Sequence, residues 1–439
     1  MKPVWTSEQI VAQLTNWEAR WDNQGPIAYT FLTQPYAYLG SSPNFSQFSI
    51  LQRAALARHM QLISDVANLS FVEVPDNGLA GGPGNKRIGF YNVNGSNVPY
   101  WGVAKDYSVQ SETEPNGEIY GVNSAVNLWR ANQQGGWSIG ESNPRKLMHE
   151  LLHTLGLDHA GNYNGDSADY ETQALFQQDS NQFTVMSYWL ASVTGADHVD
   201  GNGVPWFAST PLLYDVAALQ YLYGANMTTR TGNTVYGFNS TAGREVFDLA
   251  LHPNAVFTIW DAGGRDTLDL SGFINPARID LHQGAFSDAG ELTANISIAF
   301  GAEIENAVGS AAGDTIIANE LQNRLTGGGG GDVFTFTERD AQAGWLRSDG
   351  KKMLPDTIAD FVSGQDRIDL SAIDAVRGTE ANDAFSWIGA AAFTNVAGQL
   401  RAVAVGGQVR IEGDTDGNGF ADLIIVASAP AILAGDFVF

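Results

Sequence analysis

Cysteine is missing from all 439 residues, which excludes disulfides, thiolate nucleophiles and cysteine-bound zinc together. That absence leaves the compartment open, because an exported protein can take its rigidity from metal ions instead. Basic side chains are scarce: 23 Lys and Arg stand against 48 Asp and Glu, a formal net charge of -25. A field of that sign repels phosphate backbones and anionic lipid, so no nucleic acid partner is expected. No stretch approaches the roughly 18 uninterrupted apolar residues of a membrane span, and Met1-Lys2-Pro3-Val4-Trp5-Thr6-Ser7-Glu8 lacks the apolar run of a cleavable signal. No membrane insertion is expected, and export would need another address. Surplus carboxylate suits a chain holding several divalent cations, although a solvated surface gives the same count.

What is present supports two domains, since 44% hydrophobic residues fill one large core or two. In the first half, helical periodicity predicts helices over Ser7 to Trp21, Ser49 to Ala67 and Pro211 to Tyr223, with Gly224 as a C-cap. Strands are predicted at 27–32, 69–74, 87–91 and 118–120. Ser142-Asn143-Pro144 starts another helix whose apolar side is Leu147, Met148, Leu151, Leu152 and Leu155, ended by Gly156. After about residue 240 short β-type pieces recur between Gly/Asp-rich turns, which sets an α+β domain over 1–240 and an all-β domain over 241–439.

The second half carries a nonapeptide phase. Residues 309–317 and 327–335 lie two periods apart, each ending in Gly-Asp followed by β-branched and aromatic residues. In a parallel β-roll of G-G-x-G-x-D-x-U-x turns, glycines let the backbone bend its carbonyls toward calcium, the aspartate supplies a carboxylate and the U residue points inward. Gly309, Gly313, Asp314, Gly327, Gly328, Gly330 and Asp332 are therefore calcium candidates, with Ile316 and Phe334 in the core; the other reading is a degenerate roll held by packing. Asp414 to Asp422 has EF-hand-like oxygen spacing, but Ile425 stands where glutamate is needed, which favours a tight turn between strands.

The segment with most chemistry is His149-Glu150-Leu151-Leu152-His153-Thr154-Leu155-Gly156-Leu157-Asp158-His159. On a helix, residues four apart share a face, so His149 and His153 can reach one zinc ion while Glu150 stands beside them as general base. Gly156 lets the chain leave the helix and bring His159 round as third ligand. Of seven histidines, three fall here; His59, His198, His252 and His282 show no grouping and read as surface or satisfied core residues.

This extended motif resembles the metzincin zinc peptidases, and Thr184-Val185-Met186-Ser187-Tyr188-Trp189 resembles their methionine turn. The resemblance implies that Met186 forms an apolar floor and that Tyr188 is a displaceable zinc ligand that later hydrogen-bonds the tetrahedral intermediate. With the calcium-type repeats, Pro211 to Ala218, Gly263-Gly264-Arg265-Asp266-Thr267-Leu268-Asp269 and the terminal Asp436-Phe437-Val438-Phe439, the chain is similar to the serralysins, the RTX metalloproteases. What this implies is a metzincin-like zinc protease domain followed by a parallel β-roll, one catalytic Zn2+ and several structural Ca2+, with Gly263, Asp266 and Asp269 added to the calcium candidates. It implies broad-specificity hydrolysis of proteins, a monomer working outside the cell, type I secretion from an uncleaved C-terminal signal, and small periplasmic inhibitors as possible partners. It also implies that Ile119 and Tyr120 lie on the cleft's edge strand, where substrate adds its backbone. The repeat run is shorter than in typical relatives, so fewer calcium ions are expected; Ala160 replaces a proline, and Leu151-Leu152 replaces the commoner Ile-Gly pair. The rival reading keeps the fold and denies the chemistry: an adhesive or structural RTX protein with a vestigial zinc pocket.

Overall fold

The computed structural model describes residues 2–16, 20–21, 25–34, 45–76, 87–93, 102–106, 124–129, 136–164, 169–337, 340 and 354–439. Trp17 and the predicted strand carrying Ile119 and Tyr120 lie outside them. The chain divides into two compact units, Met1–Thr229 with Ala255–Trp260, and Arg230–Asn254 with Asp261–Phe439. Sequence texture sets the change near residue 240, later than this division, because Val235–Gly237 already pairs with Thr267–Asp269.

The first unit is built on a mixed sheet. Strand β1 (Ile27–Phe31) lies between β3 (Phe71–Glu73) and β4 (Arg87–Val93), all parallel. On the far side of β4 comes parallel β6 (Ser124–Trp129), then β5 (Gly102–Asp106), which runs antiparallel at the edge. Short β2 (Phe45–Ser46) pairs antiparallel with the end of β4. A central parallel strand is covered on both faces and needs an apolar run; Ile88, Phe90 and Tyr91 are all buried, and Phe90 packs against Phe31 and Phe48.

Five helices accompany this sheet among the described residues: α1 (Ser7–Leu14), α2 (Ile50–Val66), α3 (Ser142–Thr154), the single turn α4 (Tyr170–Gln173) and α5 (Leu213–Tyr223). Helix α2 falls where its stripe predicts. Gln52, which interrupts the stripe, has two duties: its side chain closes a capping box with Ser49 and it hydrogen-bonds buried Asn92 at 2.9 Å. Helix α1 is described as Ser7–Leu14 where a helix to Trp21 was expected, and the Leu14 carbonyl accepts from Asp158 N at 2.8 Å. Leu152 sits fully buried in an uninterrupted α3, so its bulk is absorbed by packing.

In the second unit the chain alternates between two sheets. Strands beginning at 306, 315, 324 and 333 fall nine residues apart, so one coil takes two nonapeptides and each strand stacks on the one a coil earlier. Side chains at equivalent positions form ladders inside: Tyr236, Leu268, Ala307, Leu325, Ile358 and Ala427 on one sheet, and Ile279, Ile316, Phe334, Ile368 and Phe437 on the other, all buried. Ile316 and Phe334 therefore face inward as predicted. Residues 414–422 form a turn between antiparallel strands Gln408–Asp414 and Leu423–Ala427, with Asp414 accepting from Gly417 and Gly419 amides, and bring carboxylate oxygens of Asp414, Asp416 and Asp422 within 4.8 Å of one another, so the calcium alternative stays open. Phe437–Val438 pairs with Arg367–Ala372.

Candidate metal centre

The metal helix is fixed at both ends by other parts of its unit. His59 of α2 donates from Nε2 to the Pro144 carbonyl at 2.9 Å. At the C-terminus, where helix carbonyls lack internal partners, Trp21 Nε1 donates to Thr154 O at 2.6 Å and the Tyr223 hydroxyl to Leu155 O at 2.7 Å. Gly156 adopts φ +95°, in the left-handed region where glycine has no Cβ penalty, and the chain turns back with Leu157 N bonded to Leu152 O. The next residues are then tied to α1: Asp158 N donates to Leu14 O, and Gln13 Nε2 to His159 O at 3.2 Å. This turn brings His159 to His149 and His153.

The three imidazoles meet through Nε2, separated by 3.1 Å (His149 to His153), 3.1 Å (His153 to His159) and 3.2 Å (His149 to His159). Their tautomers follow from their other nitrogens. His149 Nδ1 lies 2.9 Å from Val185 O and His153 Nδ1 2.7 Å from Leu157 O, while a backbone hydrogen bond at Tyr163 holds His159. A carbonyl only accepts, so these Nδ1 atoms carry the hydrogen and the Nε2 lone pairs face one another. Burial holds the rings neutral, pushing His153 down to about 4 and His159 to about 3, and His149 well below its usual value. Converging lone pairs repel unless a cation lies between them, and neutral imidazole nitrogens are donors of the kind zinc takes. The donor set fits zinc.

Glu150 follows His149 on α3 and is buried. Met186 is fully buried in the turn at 184–189, and its amide donates to Thr184 Oγ1. The Tyr188 ring lies 4.7 Å from that of His159, edge-on, and 4.6 Å from that of Tyr163. Sequence reasoning missed the groups that hold this turn. Partly buried Arg145 donates to the carbonyls of Val185 and Ser187 and to Asn181. Buried Asp215 accepts from Thr184 Oγ1 at 2.5 Å, Val185 N at 2.8 Å and Leu212 N at 2.9 Å. Burial pushes Asp215 up to about 6 and Arg145 down to about 10, each opposed by the other's charge. Buried Asp179 accepts from the Tyr163 hydroxyl and Trp189 Nε1. The only prior signal was the polar Asp215 inside the apolar run 211–218.

In the second unit the glycine candidates occupy tight places. A Cβ at Gly309 would strike Asp314 Oδ2 and Gly327 O, one at Gly327 would strike Asp332 Oδ2, and one at Gly313 would meet Gly331. Gly328 and Gly330 take φ of +96° and +101°. Asp314 accepts from Ala277 N, and Asp332 from Asp314 N, so each carboxylate reaches the neighbouring coil. Asp269 caps a turn through Ser271 N and Asn239. Gly263 N bonds Asp261, and Asp266 accepts from Thr234 N through Oδ1 while its buried Oδ2 has no hydrogen-bond partner. Burial, followed by the charges of Asp261 and Glu305, pushes Asp266 up to about 7; neither neighbour was singled out from sequence.

The sequence has relatives among known proteins. A profile of the family described as "Peptidase M10 serralysin C terminal" matches residues 225–439. Metalloprotease AprA of Pseudomonas entomophila (strain L48) is 36% identical over 393 residues, covering 85% of this chain and 78% of that protein. Metallopeptidase AprA of Pseudomonas marginalis is 36% identical over 459 residues, covering 99% of this chain and 91% of the relative. Serralysin of Photorhabdus luminescens is 35% identical over 84% of this chain and 76% of its own length. Similarity of that extent, spanning both the histidine centre and the stacked coils, means that this chain belongs to the serralysin family.

Proposed function

We propose that the protein is a zinc-dependent endopeptidase of broad specificity, acting outside the cell on protein substrates. The observation that carries this reading is the meeting of three neutral Nε2 lone pairs beside Glu150. His149, His153 and His159 hold the ion, which when bound acts as Lewis acid toward the scissile carbonyl and acidifies water. Glu150 takes the proton of the attacking water and delivers it to the departing amine. Tyr188, released from a resting contact, donates its hydroxyl to the developing oxyanion. Met186 gives the histidines an apolar support. On the family's pattern, the edge strand that receives the substrate backbone carries Ile119 and Tyr120.

The coils are the calcium-holding part. Orphaned Asp266 Oδ2 and the crowding of Asp261, Asp266 and Glu305 fit a divalent cation, which would be held there with Gly263. Calcium abundant outside the cell would favour the folded coils by mass action. Export by a type I apparatus, a monomeric state and inhibition by a small periplasmic protein accompany this reading.

The test is Glu150→Gln. Zinc content should stay near that of the parent, because the three imidazoles are untouched, while casein hydrolysis falls by about 10²- to 10⁴-fold for loss of a general base. Full hydrolysis by this variant, or hydrolysis indifferent to a zinc chelator, would refute the reading. An adhesive protein with a vestigial site would show no chelator-sensitive hydrolysis in the parent.

A further inference from the structure

His282, which has no grouping in the sequence, acquires one through the stacking of coils. Strands Arg278–Asp280, Thr315–Ile317 and Val333–Thr337 are successive parallel neighbours in one sheet. His282, Glu320 and Asp340 follow these strands by two, three and three residues, so the fold delivers them to one end of the sheet. One ligand atom from each lies within 4.8 Å of the others.

The imidazole is aimed. Asp280 Oδ1 lies 2.9 Å from His282 Nδ1 and also accepts the His282 amide, while Arg278 holds Asp280 Oδ2 at 3.0 Å. A carboxylate on Nδ1 fixes the ring and raises the basicity of Nε2, the outer-shell arrangement of histidine metal ligands. Nε2 faces Asp340 Oδ1 at 3.3 Å, and the Asp340 side chain is fully buried, its Oδ2 taking Thr337 N. Negative charge is in surplus here. Asp340 adds to the burial that raises Asp356 well above the carboxylate range, and Asp356 Oδ2 is buried without a hydrogen-bond partner.

From this geometry we infer that His282, Glu320 and Asp340 form a second metal site, separate from the histidine centre, that binds one zinc-class divalent cation and ties three adjacent strands together. One imidazole with two carboxylates suits zinc or a neighbouring transition ion, whereas calcium takes oxygen alone. The competing occupant is a proton: hydrogen bonds that the ring donates to Asp280 and Asp340 push His282 up to about 10, which would make a metal-free imidazolium clamp. Glu320 separates the two, since the clamp does not use it.

The test uses the full chain carrying His149→Ala and His153→Ala, kept folded in calcium, so that its result does not depend on proteolysis. Zn2+ titrated by equilibrium dialysis at pH 8 should saturate at about one equivalent and raise the melting temperature of the coil unit, because a ligand of the folded form alone stabilises it. Adding Glu320→Gln or His282→Ala should weaken that binding at least about tenfold and remove the melting shift. Absence of zinc binding in the parent of this series, or unchanged binding after Glu320→Gln, would overturn the proposal and leave the imidazolium clamp. Should His282→Ala fail to fold, Glu320→Gln still decides, because it keeps both histidine–aspartate pairs.

Discussion

His149 Nδ1 and the Val185 carbonyl are joined by a 2.9 Å hydrogen bond, and the amide of the same Val185 donates to Asp215 at 2.8 Å. One residue of the 184–189 turn thus links a metal-centre imidazole on α3 to a buried carboxylate on α5. Arg145, one helical turn before His149, holds the Val185 and Ser187 carbonyls. The tautomer of His149 therefore depends on a turn that is held, beyond its own bonds, by the buried carboxylate of Asp215 and the partly buried guanidinium of Arg145.

Asp215→Ala should release this arrangement. It leaves Val185 N, Leu212 N and Thr184 Oγ1 without their acceptor and Arg145 without the charge that most offsets its burial. Leaving a buried donor unsatisfied costs about 1–3 kcal/mol. Denaturant melts of the first unit's signal should show that loss, together with weaker zinc retention in a chelator competition. A melt and a zinc affinity equal to the parent's would show that the turn holds itself.

His59 predicts an acid limit of stability independent of the metal. Burial is the largest cause of its depression to about 3, with the Arg58 charge adding to it and the Pro144 carbonyl opposing it. Below its unfolded value near 6.5 the unfolded chain takes up a proton that the folded protein refuses, so stability falls with pH, by up to about 1.4 kcal/mol per unit, until about pH 3. His59→Gln can still donate to Pro144 and does not titrate. Its stability deficit relative to the parent should therefore shrink from pH 7 to pH 4 in calcium-containing denaturant melts. Parallel pH curves for the two proteins would remove His59 from the acid response.

Much of this was legible in the sequence because it depends on short-range geometry. Histidines four apart on a helix, a glycine at φ +95° and a nine-residue phase each translate directly into position. Long-range competition was not legible. The Leu14 carbonyl at the end of α1 accepts from Asp158, far along the chain. Asp215 is a single polar residue in an apolar run and Arg145 one of several polar residues at the start of α3, and only the fold shows that they meet at one turn. His282, Glu320 and Asp340 are scattered over 59 residues and become neighbours through coil stacking.

The coils should respond to acid in the opposite sense to His59, and calcium should reverse that response. Burial is the first cause that raises Asp266 to about 7 and Asp332 to about 6; the charges of Asp261 and Glu305 add to it at the former, and those of Asp366, Asp314 and Asp360 at the latter. A carboxyl whose folded value lies above its unfolded value near 3.8 stabilises the fold while protonated, and that contribution is lost as pH rises from about 4 through about 7. Without calcium, residues 261–439 should thus exchange their amide hydrogens more slowly at pH 5 than at pH 8, after correction for intrinsic exchange. Calcium binds the ionised carboxylates and displaces their protons, so its stabilising effect should be large at pH 8 and small at pH 5. Asp266→Asn removes a charge from the crowded group formed with Asp261 and Glu305. The calcium-free variant should then be more stable than the calcium-free parent at pH 8 and lose part of the gain from calcium. A calcium-free parent that is firmer at pH 8 than at pH 5, or a variant retaining the whole calcium effect, would show that Asp266 and its neighbours do not face the ion.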